Sequence, residues 1–279
     1  MLKIVTDSAC DLSLEIAREL GITVVPLTVN IEGQVYRDRV DISVDEFYQR
    51  ISSDNIMPTT AQIAPQTFYE CFKSLLQEGH EVLALIFSSR LSGTYQSSVI
   101  AKEMLTGGRV ETLDTKSASV GLGLTVLEAA KMAKDGADLD IVLAKARDMS
   151  ARMEHIFVVD SLEMLKRGGR ISAAQAIIGG MLNVKPVLQI DAEGQIVPLD
   201  KVRGWKKALA KLIQVMAERG KNLEQQTIGI SHANNREMVE ELSQLIKTEY
   251  NVKDIFVSEI GPVIGSHAGP GTVALFFQS

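Results

Sequence analysis

Cysteine is nearly missing from this chain: there are two in 279 residues, Cys10 and Cys71, and they do not form a CxxC pair. That removes a disulfide framework and a structural zinc site from consideration, and it suits a reducing compartment. Both thiols read as small core hydrophobes. Histidine is scarce too, with four residues. Of these, His80, His155 and His232 have no partner at metal-ligand spacing, so no metal and no cofactor is expected. No uninterrupted apolar run is long enough to cross a bilayer. An excess of positive charge is also absent, with 35 acidic residues against 29 basic ones. Long-range attraction to nucleic acid or to an anionic membrane is therefore not expected. A local basic patch, and with it a transient membrane-surface contact, stays open. No charged segment followed by an apolar stretch and a cleavage site precedes the strand-like Leu2-Lys3-Ile4-Val5-Thr6. No signal peptide is expected, and the chain is assigned to the cytoplasm. Internal repeats and low-complexity tracts are missing as well.

What is present is ample material for a core. The apolar fraction is 46%, and the length suits one large or two medium domains. The first half alternates strand-like and helix-like segments, which implies a parallel sheet covered by helices. Asp11 or Ser13, and further on Ser43, stand where helix caps belong, Pro65 suits a first helical turn, and Glu32-Gly33 reads as a turn between strands. In the second half, Asp191-Ala192-Glu193-Gly194 separates two strand-like runs, a hairpin signal that implies a mixed sheet. The fold class expected is α/β with two domains: an N-terminal parallel-sheet domain over 1–154 and a C-terminal mixed α/β domain over 155–279.

Three segments could carry chemistry. In the first, Gly261-Pro262-Val263-Ile264-Gly265-Ser266-His267-Ala268-Gly269-Pro270-Gly271, small residues surround one histidine. Glycine and proline there predict an irregular loop whose backbone a ligand can approach. The second, Ser88-Ser89-Arg90-Leu91-Ser92-Gly93-Thr94, follows a buried strand and opens a helix, where unpaired N–H groups and the helix dipole favour an anion. Judged alone, plain helix capping is the stronger reading of this segment. It is neither a Walker A loop nor a GxSxG elbow. The third, Met57-Pro58-Thr59-Thr60-Ala61-Gln62, reads as a hydroxyl-bearing loop.

Together with Val5-Thr6-Asp7-Ser8 and Arg167-Gly168-Gly169-Arg170-Ile171, these segments form five ordered motifs over essentially the whole length. In that set the chain resembles the DegV family, which includes the FakB fatty-acid-binding subunits of bacterial fatty acid kinase. The resemblance implies a non-catalytic subunit holding one long-chain fatty acid in an apolar tunnel between and within the two domains. It implies carboxylate binding by Thr60, Ser92 and His267, with Gly93, Thr94 and Ser266 as further head-group contacts. The chain departs from the family pattern at Ala61, where many relatives carry serine. The partner implied is a dihydroxyacetone-kinase-like fatty acid kinase subunit, which phosphorylates the bound carboxylate to an acyl phosphate for phospholipid synthesis. The resemblance implies that Arg170 is the docking residue. The apolar stretch 173–182 reads first as a closely packed helix; the resemblance adds tunnel lining by Ala174, Ile177, Ile178 and Met181.

Burial of a ~16-carbon chain at about 0.8 kcal/mol per methylene offers on the order of 10 kcal/mol before association costs. The head group then sets orientation more than affinity. A histidine beside the carboxylate favours the charged forms of both. Two competing readings stay open: a Ser/His acyl hydrolase or transferase using Ser92, His267 and an aspartate such as Asp7 or Asp114, and a nucleotide or phosphosugar binder.

Overall fold

The structure is a computed structural model and describes residues 1–53, 56–171 and 183–279. The chain opens with β1 (Leu2–Asp7), α1 (Leu14–Glu19) and β2 (Thr23–Val25). A small unit follows: β3 (Thr28–Ile31), β4 (Gln34–Arg37), α2 (Val44–Ser53) and β5 (Thr59–Ala61). Next come α3 (Pro65–Gln77), β6 (Glu81–Ile86), α4 (Thr94–Glu103) and β7 (Val110–Asp114), and then α5 (Ser119–Lys134) and α6 (Leu139–Arg152). The second half holds β8 (Met153–Val158), α7 (Glu163–Arg167), β9 (Val184–Ile190), β10 (Ile196–Arg203) and α8 (Trp205–Arg219). It ends with β11 (Thr227–His232), α9 (Arg236–Glu249), β12 (Asp254–Glu259), α10 (Pro262–Ala268) and β13 (Val273–Gln278).

Local chemistry explains several boundaries. Ser13 Oγ accepts from Ile16 N–H at 3.2 Å and starts α1, and Ser43 Oγ accepts from Glu46 N–H at 3.2 Å ahead of α2, as capping requires. Glu32 and Gly33 both have positive φ, 53° and 86°, which gives the tight β3–β4 turn its twist.

Three sheets result. A parallel sheet has strand order β2-β1-β6-β7, a mixed sheet has order β10-β9-β8-β13-β11-β12, and the small sheet has order β4-β3-β5. The mixed sheet is antiparallel except where β11 pairs with β12. β6 is central in its sheet, and Val82 through Ile86 are all fully buried, as a strand covered on both faces demands. Helix α5 lies between the two larger sheets and contacts β1 and β6 of one and β8, β11 and β13 of the other. Every residue from Ser119 to Leu127 is buried, so this stretch of the helix has no exposed polar face. Glycines let it sit close on both sides. A Cβ on Gly123 would lie 2.7 Å from Cys10 O, and one on Gly121 would lie 2.4 Å from His155 Nε2.

One apolar cluster runs from Ile4 of β1 to Phe276 of β13. The division at 154/155 is therefore a proposal about two sheets that share a continuous core. Two expected loops are regular structure. Thr59–Ala61 is strand β5, whose Thr60 pairs with Val29 of β3. The Gly261–Gly271 segment is helical over Pro262–Ala268, because Pro262 fits the first turn and the helix stops at Gly269, φ 81°. Among the described residues no helix is long and apolar enough to cross a membrane.

Candidate functional site

In the parallel sheet the strand order turns back between β1 and β6, and the crevice outside the carboxyl ends of such strands is where α/β sheets take ligands. A cavity of about 220 Å³ opens there, between the loops after β6 and β7 and the face of the mixed sheet. Its walls are largely apolar, with Phe87 and Leu91 from the first half facing Phe157, Val263, Ile264 and Phe276 from the second.

The polar groups gather on Thr60, Ser92, Arg170 and His267, which all line this cavity, as does Gly93. Thr60 comes from β5 and His267 from α10, and Thr60 Oγ1 lies 2.8 Å from His267 Nε2. Ser92 Oγ accepts from Thr94 N–H at 3.2 Å and lies 2.9 Å from Thr94 Oγ1, at the turn that opens α4. Arg170 donates from Nε to Leu91 O at 3.0 Å and from a terminal nitrogen to Gly168 O at 2.5 Å. Its guanidinium is thus folded across the cavity wall and half-buried. Two expected head-group contacts do not line the cavity. Thr94 is fully buried against Ser92, and Ser266 Oγ donates back along its own helix to Pro262 O at 2.7 Å. Ala174, Ile177, Ile178 and Met181 lie outside the described residues.

His267 is neutral here. Burial, and then the nearby Arg170 charge, push its pKa from 6.5 down to about 4. No negative charge acts on it among the described residues, so desolvation prevails. Its Nδ1 is buried and has no hydrogen-bond partner among the described residues. Asp7 takes Ala9 N–H and Phe87 N–H on its two oxygens, at 3.0 and 2.8 Å, and Asp114 takes Ser89 N–H at 3.1 Å. Neither aspartate orients the imidazole, and among the described residues no hydrogen bond joins Ser92 to His267. The base-and-orienter geometry of a hydrolase is not assembled.

The Val5-Thr6-Asp7-Ser8 motif instead ties loops together. Asp7 clamps the end of β1 to the residue after β6, and Ser8 Oγ accepts from Leu27 N–H at 3.1 Å. Burial raises the Asp7 pKa to about 7 despite its two N–H donors.

One cavity residue was not legible as such. His155, in β8, lines the apolar end and is 2% exposed. Its Nδ1 is 3.0 Å from Met153 O, which can only accept, so the ring proton sits on Nδ1 and Nε2 accepts from Ser117 Oγ at 2.5 Å. Burial pushes its pKa to about 4. With both nitrogens taken, it offers the cavity an uncharged wall. The sequence signal for it was a histidine set directly before the apolar run Ile156–Val159.

This geometry coincides with the outcome of comparison with known proteins. A family model described as an uncharacterised protein of the DegV family matches residues 1–279. The chain belongs to the DegV family. A DegV domain-containing protein from Caldanaerobacter subterraneus subsp. tengcongensis is 41% identical over 275 residues, covering 99% of this chain and 98% of that one. Among solved structures, a DegV family protein from Thermus thermophilus, described by its fatty acid binding, superposes with TM-score 0.92 at 36% identity over 100% of this chain and 99% of its own. A stearic acid-binding protein from Eubacterium ventriosum superposes with TM-score 0.91 at 30% identity over 99% of this chain and 97% of its own. The fold of this DegV chain, a parallel four-stranded sheet and a mixed six-stranded sheet with helices, is the one those structures share.

Proposed function

We propose that this DegV chain is a non-catalytic carrier of one long-chain fatty acid. The acyl chain lies in the apolar cavity between the sheets, and the carboxylate meets Thr60, Ser92 and His267. The observation that carries the reading is the arrangement of the cavity. Its walls are largely apolar, and Thr60, Ser92, Arg170 and His267, from four separate segments, all line it, a set that suits a single anionic group. Solved relatives of the same fold are described as binding fatty acids, among them stearic acid. Arg170 stands beside His267, where a carboxylate, or the phosphoryl group it acquires, would find a counter-charge.

The carried acid is then presented to a dihydroxyacetone-kinase-like partner, which supplies ATP chemistry and yields an acyl phosphate for phospholipid synthesis in the cytoplasm. Arg170 contributes to engaging that partner at the rim of the same cavity. Purified protein, denatured and extracted with organic solvent, releases a long-chain acid that mass spectrometry identifies. A protein that yields none, and that is not stabilised by added octadecanoic acid, has a different ligand.

A further inference from the structure

We propose that Arg39 and Tyr48, from the small antiparallel unit, are positioning residues that hold His267 where it meets the ligand carboxylate. The proposal rests on the carrier reading and assigns that unit its part in it.

His267 rides on α10, a helix of seven residues. So short a helix does not hold itself; its place is set by what it packs against. The segment that leads into it, Glu259–Gly261, has its backbone groups taken one after another. Glu259 C=O accepts from the Arg39 guanidinium. Ile260 C=O accepts from the Tyr48 hydroxyl at 3.0 Å, and Ile260 N–H donates to His232 O at 2.7 Å. Gly261 N–H donates to Asp11 Oδ1 at 2.8 Å, and Arg39 reaches that same oxygen at 3.3 Å.

The fit leaves no slack. A Cβ on Gly261 would lie 2.8 Å from Arg39 Nε and 3.1 Å from Asp11 Oδ1. A Cβ on Gly265, within the helix, would lie 2.5 Å from Tyr48 Oη and 3.0 Å from Phe47 Cε1. One face of α10 is therefore flush against α2, while Val263, Ile264 and His267 line the cavity. Tyr48 is 3% exposed, and Arg39 forms a buried ion pair with Asp11, the kind of contact that is costly to break one-sidedly.

The same unit that grips the base of α10 also carries Thr60, on β5. Both members of the Thr60–His267 contact are thus referenced to one small sheet and its helix. Loosening the grip moves His267 relative to Thr60 without touching the apolar walls. Head-group recognition should suffer and tail recognition should not.

The test titrates octadecanoic acid and its methyl ester into the full chain and into Tyr48→Phe, Arg39→Lys and Arg39→Gln, by displacement of a fluorescent acyl probe, with thermal midpoints in parallel. In Tyr48→Phe one hydrogen bond is lost, and affinity for the acid is expected to fall about fivefold while that for the ester holds. Arg39→Gln contracts the acid-to-ester ratio further, and Arg39→Lys, which keeps the charge, restores part of it. An unchanged ratio in Tyr48→Phe, whether both affinities fall together or neither does, overturns the proposal. A wild-type protein that binds neither compound overturns the carrier reading and takes this proposal with it.

Discussion

Thr60 and His267, 207 positions apart in the chain, are joined by a 2.8 Å contact between Oγ1 and Nε2. It exists only once the small sheet and α10 have both docked. Thr60→Val keeps the side-chain shape and removes the hydroxyl. Hydrogen bonds to charged groups contribute about 1.5–3 kcal/mol, so the affinity for a long-chain carboxylate should drop about tenfold or more. The methyl ester of the same acid should bind as before. Displacement titrations of the two ligands check this.

Two adjacent glycines separate crowding from backbone strain. Gly168 has an ordinary helical backbone, φ −71°, yet a Cβ there would sit 2.1 Å from His267 Nδ1. Gly168→Ala should therefore displace the imidazole and weaken carboxylate binding as much as Thr60→Val does, with a small change in thermal midpoint. Gly169 has φ 70°, and among the described residues nothing lies within 4 Å of its Cβ direction. Gly169→Ala should cost about 1 kcal/mol of stability through the left-handed backbone and leave affinity intact. The reverse pattern would mean that His267 does not meet the head group.

Much of this arrangement was legible in the chain. The unbroken apolar run of β6 announced a buried strand, and Ser13 and Ser43 stood among the cap candidates at the starts of α1 and α2. Ordered motifs pointed to Thr60, Ser92 and His267, and these do converge on one cavity. What stayed hidden depends on distant partners. Thr59–Ala61 is a strand only because β3 lies beside it. Gly265 interrupts the apolar period of α10 because Tyr48 needs the space. A residue type also says nothing about where its hydroxyl turns, so Ser266 looked available although it donates to Pro262 O. His155 resembled a boundary residue until Ser117, 38 positions earlier, supplied its partner.

Binding should take up protons. Burial and the Arg170 charge push the pKa of His267 down to about 4, so it is neutral at pH 7. A carboxylate brought beside it favours the imidazolium and raises that pKa. Between about pH 5 and 7 each binding event should thus draw in a fraction of a proton, and affinity should rise as the pH falls across that window. Calorimetric titrations in two buffers of different ionisation enthalpy measure the uptake. Arg170→Gln, which removes a repelling charge, should raise the pKa of His267 in the free protein, as followed by its ring proton signals.

Stability should respond to pH with two opposing signs. His155 titrates near 6.5 when unfolded and near 4 when folded, because burial penalises its charge. Its contribution is complete above about pH 6.5 and is lost as the pH falls towards 4. Asp7 and Asp38 behave oppositely. Both are raised from 3.8 to about 7, with burial the largest cause. Their contribution is complete below about pH 4 and is lost as the pH rises through 7. A shift the size of that on His155 corresponds to roughly 3 kcal/mol, at about 1.4 kcal/mol per unit. His155→Gln cannot gain a proton in this range. Denaturant unfolding at pH 7 and pH 5 should show this variant losing less stability over the interval than the wild type, by on the order of 2 kcal/mol. Equal losses in the two proteins would mean that His155 is charged or solvated in the fold, contrary to its hydrogen bonds with Ser117 and Met153.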